Sequence, residues 1–120
     1  MSHPLEGQVV LLAGAKASVS VHRLPRLLER VQTELGPDLE SYSRRYELAY
    51  EDDDLRCFFV PTDQWQTIGT SLGFGRRERE AVRRAHEEQL KRVGKRENRS
   101  GEFEIALDVR SAVVIGKQPK

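Results

Sequence analysis

Residues 46–60 read YELAYEDDDLRCFFV, and within them the sequence period changes from helical to extended. Tyr46, Leu48 and Tyr50 alternate with Glu47 and Ala49, the period of two of an extended chain. The acids EDDD follow, and then LRCFFV, rich in β-favouring residues. Two such runs joined by four turn-prone residues predict an antiparallel hairpin. The unbroken apolar run 57–60 makes the second strand the better buried of the two, and Pro61 closes it. The other long periodic stretches are helical. The fold class is therefore α+β: a helix-rich single domain over residues 1–120, with one antiparallel β-hairpin at about residues 46–60.

Upstream of the hairpin, Leu24, Leu27, Leu28, Val31 and Leu35 form one apolar face at three-to-four spacing. Pro25 belongs in a first helical turn, where amides have no helical acceptor, so this helix should begin near His22. Gly36-Pro37 ends it. Residues 38–45 fit a short helix presenting Leu39 and Tyr42. Residues 8–21, QVVLLAGAKASVSV, carry a helical stripe of Val9, Val10, Ala13 and Ala17, although the β-branched residues and Gly14 also allow a strand pair. The balance favours helix. Residues 1–7 read as a loose lead-in.

Downstream, Thr62 is a suitable N-cap for a helix through Leu72, with Trp65, Ile68 and Leu72 on one face. Gly73 and Gly75 bracket Phe74 in a tight break. Residues 76–99, RREREAVRRAHEEQLKRVGKRENR, then make one long helix with a basic tail, ten Lys/Arg against five Glu. Ala81, Val82, Ala85, Gln89 and Val93 share its apolar side, with His86 and Leu90 on the margin. Residues 102–116 satisfy two periods at once. Ser100 as N-cap and Glu102 and Glu104 in a first turn favour helix. Trp65, Phe58, Phe59, Leu28, Val31 and Val82 are the expected core.

The 120-residue length suits one domain, and the 38% apolar and 32% charged fractions suit a folded chain with an ionic surface. Net charge is +1, so whole-molecule attraction to a polyanion is negligible and only local charge can matter. Residues 34–54 hold eight acids against Arg44 and Arg45. That acidic middle can meet the basic helix within one molecule or between two. Cys57 is the lone cysteine, which excludes an internal disulfide and fits a reducing compartment. The longest apolar run, residues 9–13, is far short of a membrane span, so the expectation is a cytoplasmic protein without a membrane partner.

The residues that carry chemistry do not assemble in sequence. His3, His22, His86 and Cys57 lack any close metal-ligand spacing, and Gly69, Gly73 and Gly75 lack the pattern of a phosphate loop. Asp52–Asp54 fit a solvated hairpin tip, and Cys57 among Phe58, Phe59 and Val60 fits a buried, inert thiol. No catalytic residue, metal or cofactor is expected. The basic helix is different. Its Glu80–Arg84, Glu87–Lys91 and Glu88–Arg92 spacings each favour a local ion pair worth about 0.2–0.5 kcal/mol, and such a helix can be self-neutralised. Arg76, Arg77, Lys95 and Arg96, and with them Arg83 and Arg84, are the candidate contacts to DNA or RNA.

The segment IGTSLGFG, residues 68–75, resembles the first helix and turn of a helix-turn-helix, but the next helix places Arg79 and Arg83 where that motif wants core residues. GRREREAVRRA, residues 75–85, resembles the opening helix of the response-regulator type, with EIALDVRSAVV as a shortened echo. More of the chain resembles a group of small haloarchaeal proteins of unestablished function. The resemblance rests on LPRLLERVQTELGP (24–37), SRRYEL (43–48), VPTDQW (60–65), REREAVRRAHEEQLKRVG (77–94) and EFEIALDVRSAVVIG (102–116). It implies a cytoplasmic single domain and brings no catalytic residue with it. The balance of 19 acids and 20 bases departs from the acidic habit of that group. The expected function is that of a non-enzymatic binding protein, a small nucleic-acid-binding regulator using its basic C-terminal helix. The alternatives are a protein-interaction module, as a homodimer pairing acidic and basic segments, and, third, an enzyme of unspecified type.

Overall fold

A computed structural model describes residues 3–20 and 22–117. In chain order these form α1 (Gly7–Ala17), α2 (Leu24–Leu35), a 3-10 turn (Gly36–Asp38), α3 (Leu39–Arg45), β1 (Glu47–Glu51) and β2 (Leu55–Val60). Then come α4 (Gln64–Leu72), α5 (Arg76–Arg96), α6 (Ser100–Val109) and β3 (Ser111–Gly116). The fold is α+β, and the hairpin is present: β1 pairs antiparallel with β2, with an irregularity between Leu48 and Tyr50. Its turn is built by one side chain. Oδ1 of Asp52 accepts the backbone N–H of Asp54 at 2.8 Å and of Leu55 at 3.0 Å.

Residues 102–116 are not one helix, which corrects the sequence-based expectation. The helical period holds to Val109, Arg110 turns extended, and β3 pairs antiparallel along the other side of β2, with Val114 opposite Cys57. The hairpin thus becomes two of three strands, in the order β1-β2-β3. Every residue from Ser111 to Ile115 is buried. A strand covered on both faces loses the alternation that would have marked it.

Side chains take the place of a fourth strand along the outer edge of β3. His86 Nδ1 accepts the N–H of Val114 at 2.9 Å, and Gln32 Nε2 donates to the carbonyl of Val114 at 2.8 Å. Gln32 Oε1 accepts the N–H of Gly116 at 2.8 Å, and Trp65 Nε1 donates to the carbonyl of Ala112 at 3.2 Å. Three helices, α5, α2 and α4, supply these groups. Buried backbone polar groups must be paired, and here the helices pair them while burying their apolar faces on the sheet.

The predicted core holds: Leu28, Val31, Phe58, Phe59, Trp65 and Val82 are all buried. Each such side chain contributes about 1.5–3 kcal/mol of transfer free energy. Pro25 sits in the first turn of α2, as its missing N–H requires. Gly73 closes α4 at φ +70°, a left-handed position that suits glycine. Gly94 lets α6 approach α5, since a Cβ there would lie 2.9 Å from Phe103 Cδ2.

Two further expectations are corrected. Thr62 is not an N-cap: α4 begins at Gln64 behind Asp63, and neither makes a capping side-chain bond there. The described part of the lead-in is not loose. Leu5 is buried, and Glu6 and Gln89 exchange two hydrogen bonds, Glu6 N–H to Gln89 Oε1 at 3.0 Å and Gln89 Nε2 to Glu6 Oε2 at 2.9 Å. Met1 and Ser2 of that segment, and Val21 at the end of 8–21, lie outside the described residues. Among the described residues, no helix is long and apolar enough to cross a membrane.

Candidate functional site

The solvent side of α5 is bounded by α1 and α6, both antiparallel to it. At one end of α1, Arg92 Nη2 donates to Gln8 Oε1 at 2.9 Å; at the other, Lys16 and Ala17 share a depression with Arg76, Arg77 and Arg84. On the opposite flank, Phe103 packs against Gly94, while Glu104 and Asp108 line a depression with Glu87 and Lys91. Between these neighbours a crest of α5 stays open. At 100° per residue, Arg77, Arg84, Lys91 and Lys95 fall within about 40° of one another, and Arg77 and Lys95 are about 27 Å apart along the axis.

The six candidate residues do not form one surface. Arg76, Arg77 and Arg84 converge, with Lys16 beside them, around a depression of about 280 Å³ whose lining includes one carboxylate, Glu80. Among the described residues Lys16, Arg76, Arg77 and Lys95 form no ion pair, whereas Arg84 lies 3.8 Å from Glu80. Lys95 is exposed at the far end of the crest. Arg83 points elsewhere: it is held by Glu80 at 2.6 Å and by Glu87 at 2.8 Å. The hydrogen bond from Arg83 keeps the Glu80 carboxyl below its ordinary pKa. Arg96 is drawn to Glu6 at 3.0 Å. The Glu6 carboxyl is also held low, first by its hydrogen bond from Gln89 and then by Arg96 and Arg92.

Of the three anticipated local pairs, Glu80–Arg84 forms at 3.8 Å. Glu87 instead joins Arg83 and accepts from Ser111 Oγ at 2.6 Å, and Glu88 pairs with Lys91 at 3.6 Å. Arg92 turns to Gln8 and Glu6. The acidic segment 34–54 is served by other cations. Glu40 and Glu51 take Arg56, Glu51 also takes Lys117, and Glu47 takes Arg110. The bases at the N-terminal end of α5 are therefore not spent on it.

Lys16 is the residue that sequence reasoning missed. Nothing in its neighbourhood marks it, because only the antiparallel packing of α1 brings it to Arg77 and Arg84. A signal did exist for Glu6: Gln89 lies on the apolar side of α5, and a buried amide there requires a polar partner.

Of the other titratable groups, His3 is partly buried within electrostatic reach of Glu29 and His86, and burial lowers its pKa. His22 is exposed at the start of α2. His86 is fully buried, and burial pushes its pKa down to about 3, so the ring is neutral at pH 7. Cys57 is buried, and burial pushes its thiol up to about 12. Asp52 is committed to its turn. Among the described residues, no group of three or more His, Cys, Asp or Glu side chains is placed to hold a metal ion.

Fold and surface together define a small α+β domain with a basic crest along the solvent side of a long helix. Residues 3–117 match the model of a family described as a domain of unknown function (DUF8048), and the chain belongs to that family. No curated protein and no solved structure matches the chain.

Proposed function

We propose that this domain is a non-enzymatic binding protein, a small regulator that contacts the phosphates of DNA or RNA. The contact surface is the N-terminal half of α5 with the C-terminal end of α1. The observation that carries this reading is the convergence of Lys16, Arg76, Arg77 and Arg84 on one open depression with Glu80 as its carboxylate. Glu80 is already engaged by Arg83, so the local field stays positive, and it adds to the positive end of the α5 dipole. The separation of His22, His86 and Cys57 supports binding over catalysis, because an active site needs titratable groups that converge. The same reading takes the protein as cytoplasmic, where its lone thiol stays reduced.

The test is a titration with duplex DNA and duplex RNA at low and moderate salt. Four neutralised phosphates give a slope of about −3.6 in log K against log salt. Joint replacement of Lys16, Arg76, Arg77 and Arg84 by Ala should abolish binding at moderate salt. No binding at low ionic strength, or binding indifferent to that variant, overturns the reading. A protein-interaction module is the second reading, favoured by the exposure of Leu11, Leu12, Ile105 and Val109.

A further inference from the structure

Helix α6 presents two stripes to solvent. Ile105 and Val109, one turn apart, are 72% and 74% exposed, the highest values among the large apolar side chains of the described residues. Glu104 and Asp108 have the same spacing and are exposed as well. At 100° per residue the acidic stripe stands about 100° around the helix from the apolar one. Among the described residues neither Glu104 nor Asp108 forms an ion pair, whereas Glu102 is held by Arg99 at 2.6 Å. Between the acidic stripe and α5 runs a groove of about 620 Å³. Ile105 and Leu107 line it with three acids, Glu87, Glu104 and Asp108, and one base, Lys91. Glu87 is taken by Arg83 and Ser111, and Lys91 by Glu88. Single exposed apolar side chains are ordinary. Here two adjoin along one helix face, beside a groove whose uncompensated charge is all of one sign.

We infer that the α6 face is a docking surface for a basic amphipathic helix of another protein. That helix lays its apolar stripe on Ile105 and Val109 and sets Lys or Arg beside Glu104 and Asp108. Apolar anchors at i and i+4 are what a helix lying along a helix presents. This inference deepens the protein-interaction reading and names its partner. It uses no residue of the basic surface assigned to nucleic acid.

Charge selects the occupant. Glu104 and Asp108 repel phosphate backbones and anionic lipid alike, so neither a nucleic acid nor a membrane surface suits this face. A second copy of the chain offers no match in any two-fold arrangement. An axis through α6 sets carboxylates on carboxylates. One that lays α6 on α5 sets Ile105 and Val109 on the charged crest of Arg84, Glu88 and Lys91. One that lays α6 on α1 sets the basic crest of α5 against itself. A different polypeptide, basic and apolar at helical spacing, answers both stripes at once. Weak, transient encounters bury less than about 1,200 Å² in total, and one exposed helix face of three turns belongs to that class, so the complex should be salt-sensitive and short-lived.

The probe is a synthetic amphipathic helix of Leu and Lys, with the same pattern carrying Glu in place of Lys as its control. Each is titrated to about 1 mM, the range of weak encounters, into the nitrogen-15-labelled full chain while the amide chemical shifts are followed. The Leu–Lys peptide is expected to move the amides of residues 101–109 and of Lys91, with an affinity that falls as salt rises, and the Leu–Glu peptide to move none of them. Ile105→Asp should weaken binding at least tenfold, and so should Glu104→Lys with Asp108→Lys. Circular dichroism and thermal melting of each variant exclude unfolding as the cause. Shifts that cluster on Leu11 and Leu12 instead overturn the inference but keep the protein-interaction reading. No shifts at all, equal binding of the two peptides, or binding indifferent to the substitutions overturns it outright. Self-association of the free chain that Ile105→Asp abolishes also overturns it and gives the face to a second copy. The nucleic-acid titration is read separately, so either proposal can fail alone.

Discussion

Nδ1 of His86, in the middle of α5, accepts the backbone N–H of Val114 in β3 at 2.9 Å. A neutral imidazole has one donor and one acceptor, so this bond fixes the tautomer and leaves the hydrogen on Nε2. That nitrogen is buried and finds no hydrogen-bond partner. The ring instead lies edge-on to Trp65, centroids 4.7 Å apart. The histidine thus behaves as a piece of sheet backbone, finishing an edge where another strand would otherwise pair.

A pH dependence follows from that burial. The folded-state pKa of about 3 lies below the ordinary 6.5. Between those values the unfolded chain binds a proton that the folded chain excludes, so stability falls as pH drops from 6.5 toward 3. The maximal slope from this one group is about 1.4 kcal/mol per pH unit. Urea unfolding at pH 7, 5 and 4 should show His86→Gln to be less stable at pH 7 yet flatter with pH. Parallel curves for the two proteins would contradict the assignment.

Gln32 should matter as much as a large apolar residue. It satisfies both Val114 and Gly116, and each orphaned buried backbone group costs about 1–3 kcal/mol. Gln32→Leu keeps the volume and removes both bonds. A drop of at least 2 kcal/mol by chemical denaturation is expected, and a neutral outcome would mean that water reaches this edge.

Two glycine replacements should separate. At Gly94 a new Cβ meets the buried Phe103 ring at 2.9 Å, so Gly94→Ala is expected to cost about 1–3 kcal/mol through overpacking. At Gly69 the neighbours are Arg79 Cδ and Cγ at 3.1 and 3.2 Å, a flexible side chain that can move aside. Helix propensity then makes Gly69→Ala neutral or stabilising by up to about 1 kcal/mol. Thermal melts of the two variants side by side decide it.

Cys57 should be chemically silent in the folded protein. Its thiol is buried between strands and pushed up to about 12, so little thiolate forms at pH 7–8. Alkylation by iodoacetamide is expected to follow the opening of the fold and to accelerate with denaturant. Rapid labelling in native buffer would show that the sheet opens locally at β2.

Arg77 and Arg96 carry the same charge and should behave differently. Arg96 is paired with Glu6 at a partly exposed site, so Arg96→Ala should lower stability by less than about 1 kcal/mol and leave nucleic-acid affinity in place. Arg77→Ala should leave stability unchanged, weaken binding, and reduce the salt slope by about 0.9. Equal effects on affinity would mean that the contact extends beyond the crest to the flank where Arg96 meets Glu6.

What was legible in the sequence tracks where the physics is local. The hairpin announced itself because Asp52 can fold its own turn, and α2 and α5 did so because their apolar faces repeat at helical spacing. β3 escaped for a tertiary reason. Ala112–Ile115 are apolar throughout because helices cover both sides of the sheet, and no glycine or proline separates Val109 from Ser111. The polar groups that finish its edge, Gln32 and His86, look like surface residues until their acceptors and donors are placed. The candidate site was half legible for the same cause. Arg76, Arg77 and Arg84 share a helix and its period, whereas Lys16 joins them only through packing, and Arg83 and Arg96 are diverted by carboxylates.

The covered edge of β3 also bears on how the chain matures during synthesis. Translation produces Gln32, Trp65 and His86 long before residues 112–116, which they bond. Until residues 112–116 emerge, the helices hold buried polar groups with nothing to receive them, and β2 has one side open. The nascent chain therefore has reason to stay unsettled, and to remain a client for chaperones, until residues 112–116 have left the ribosome.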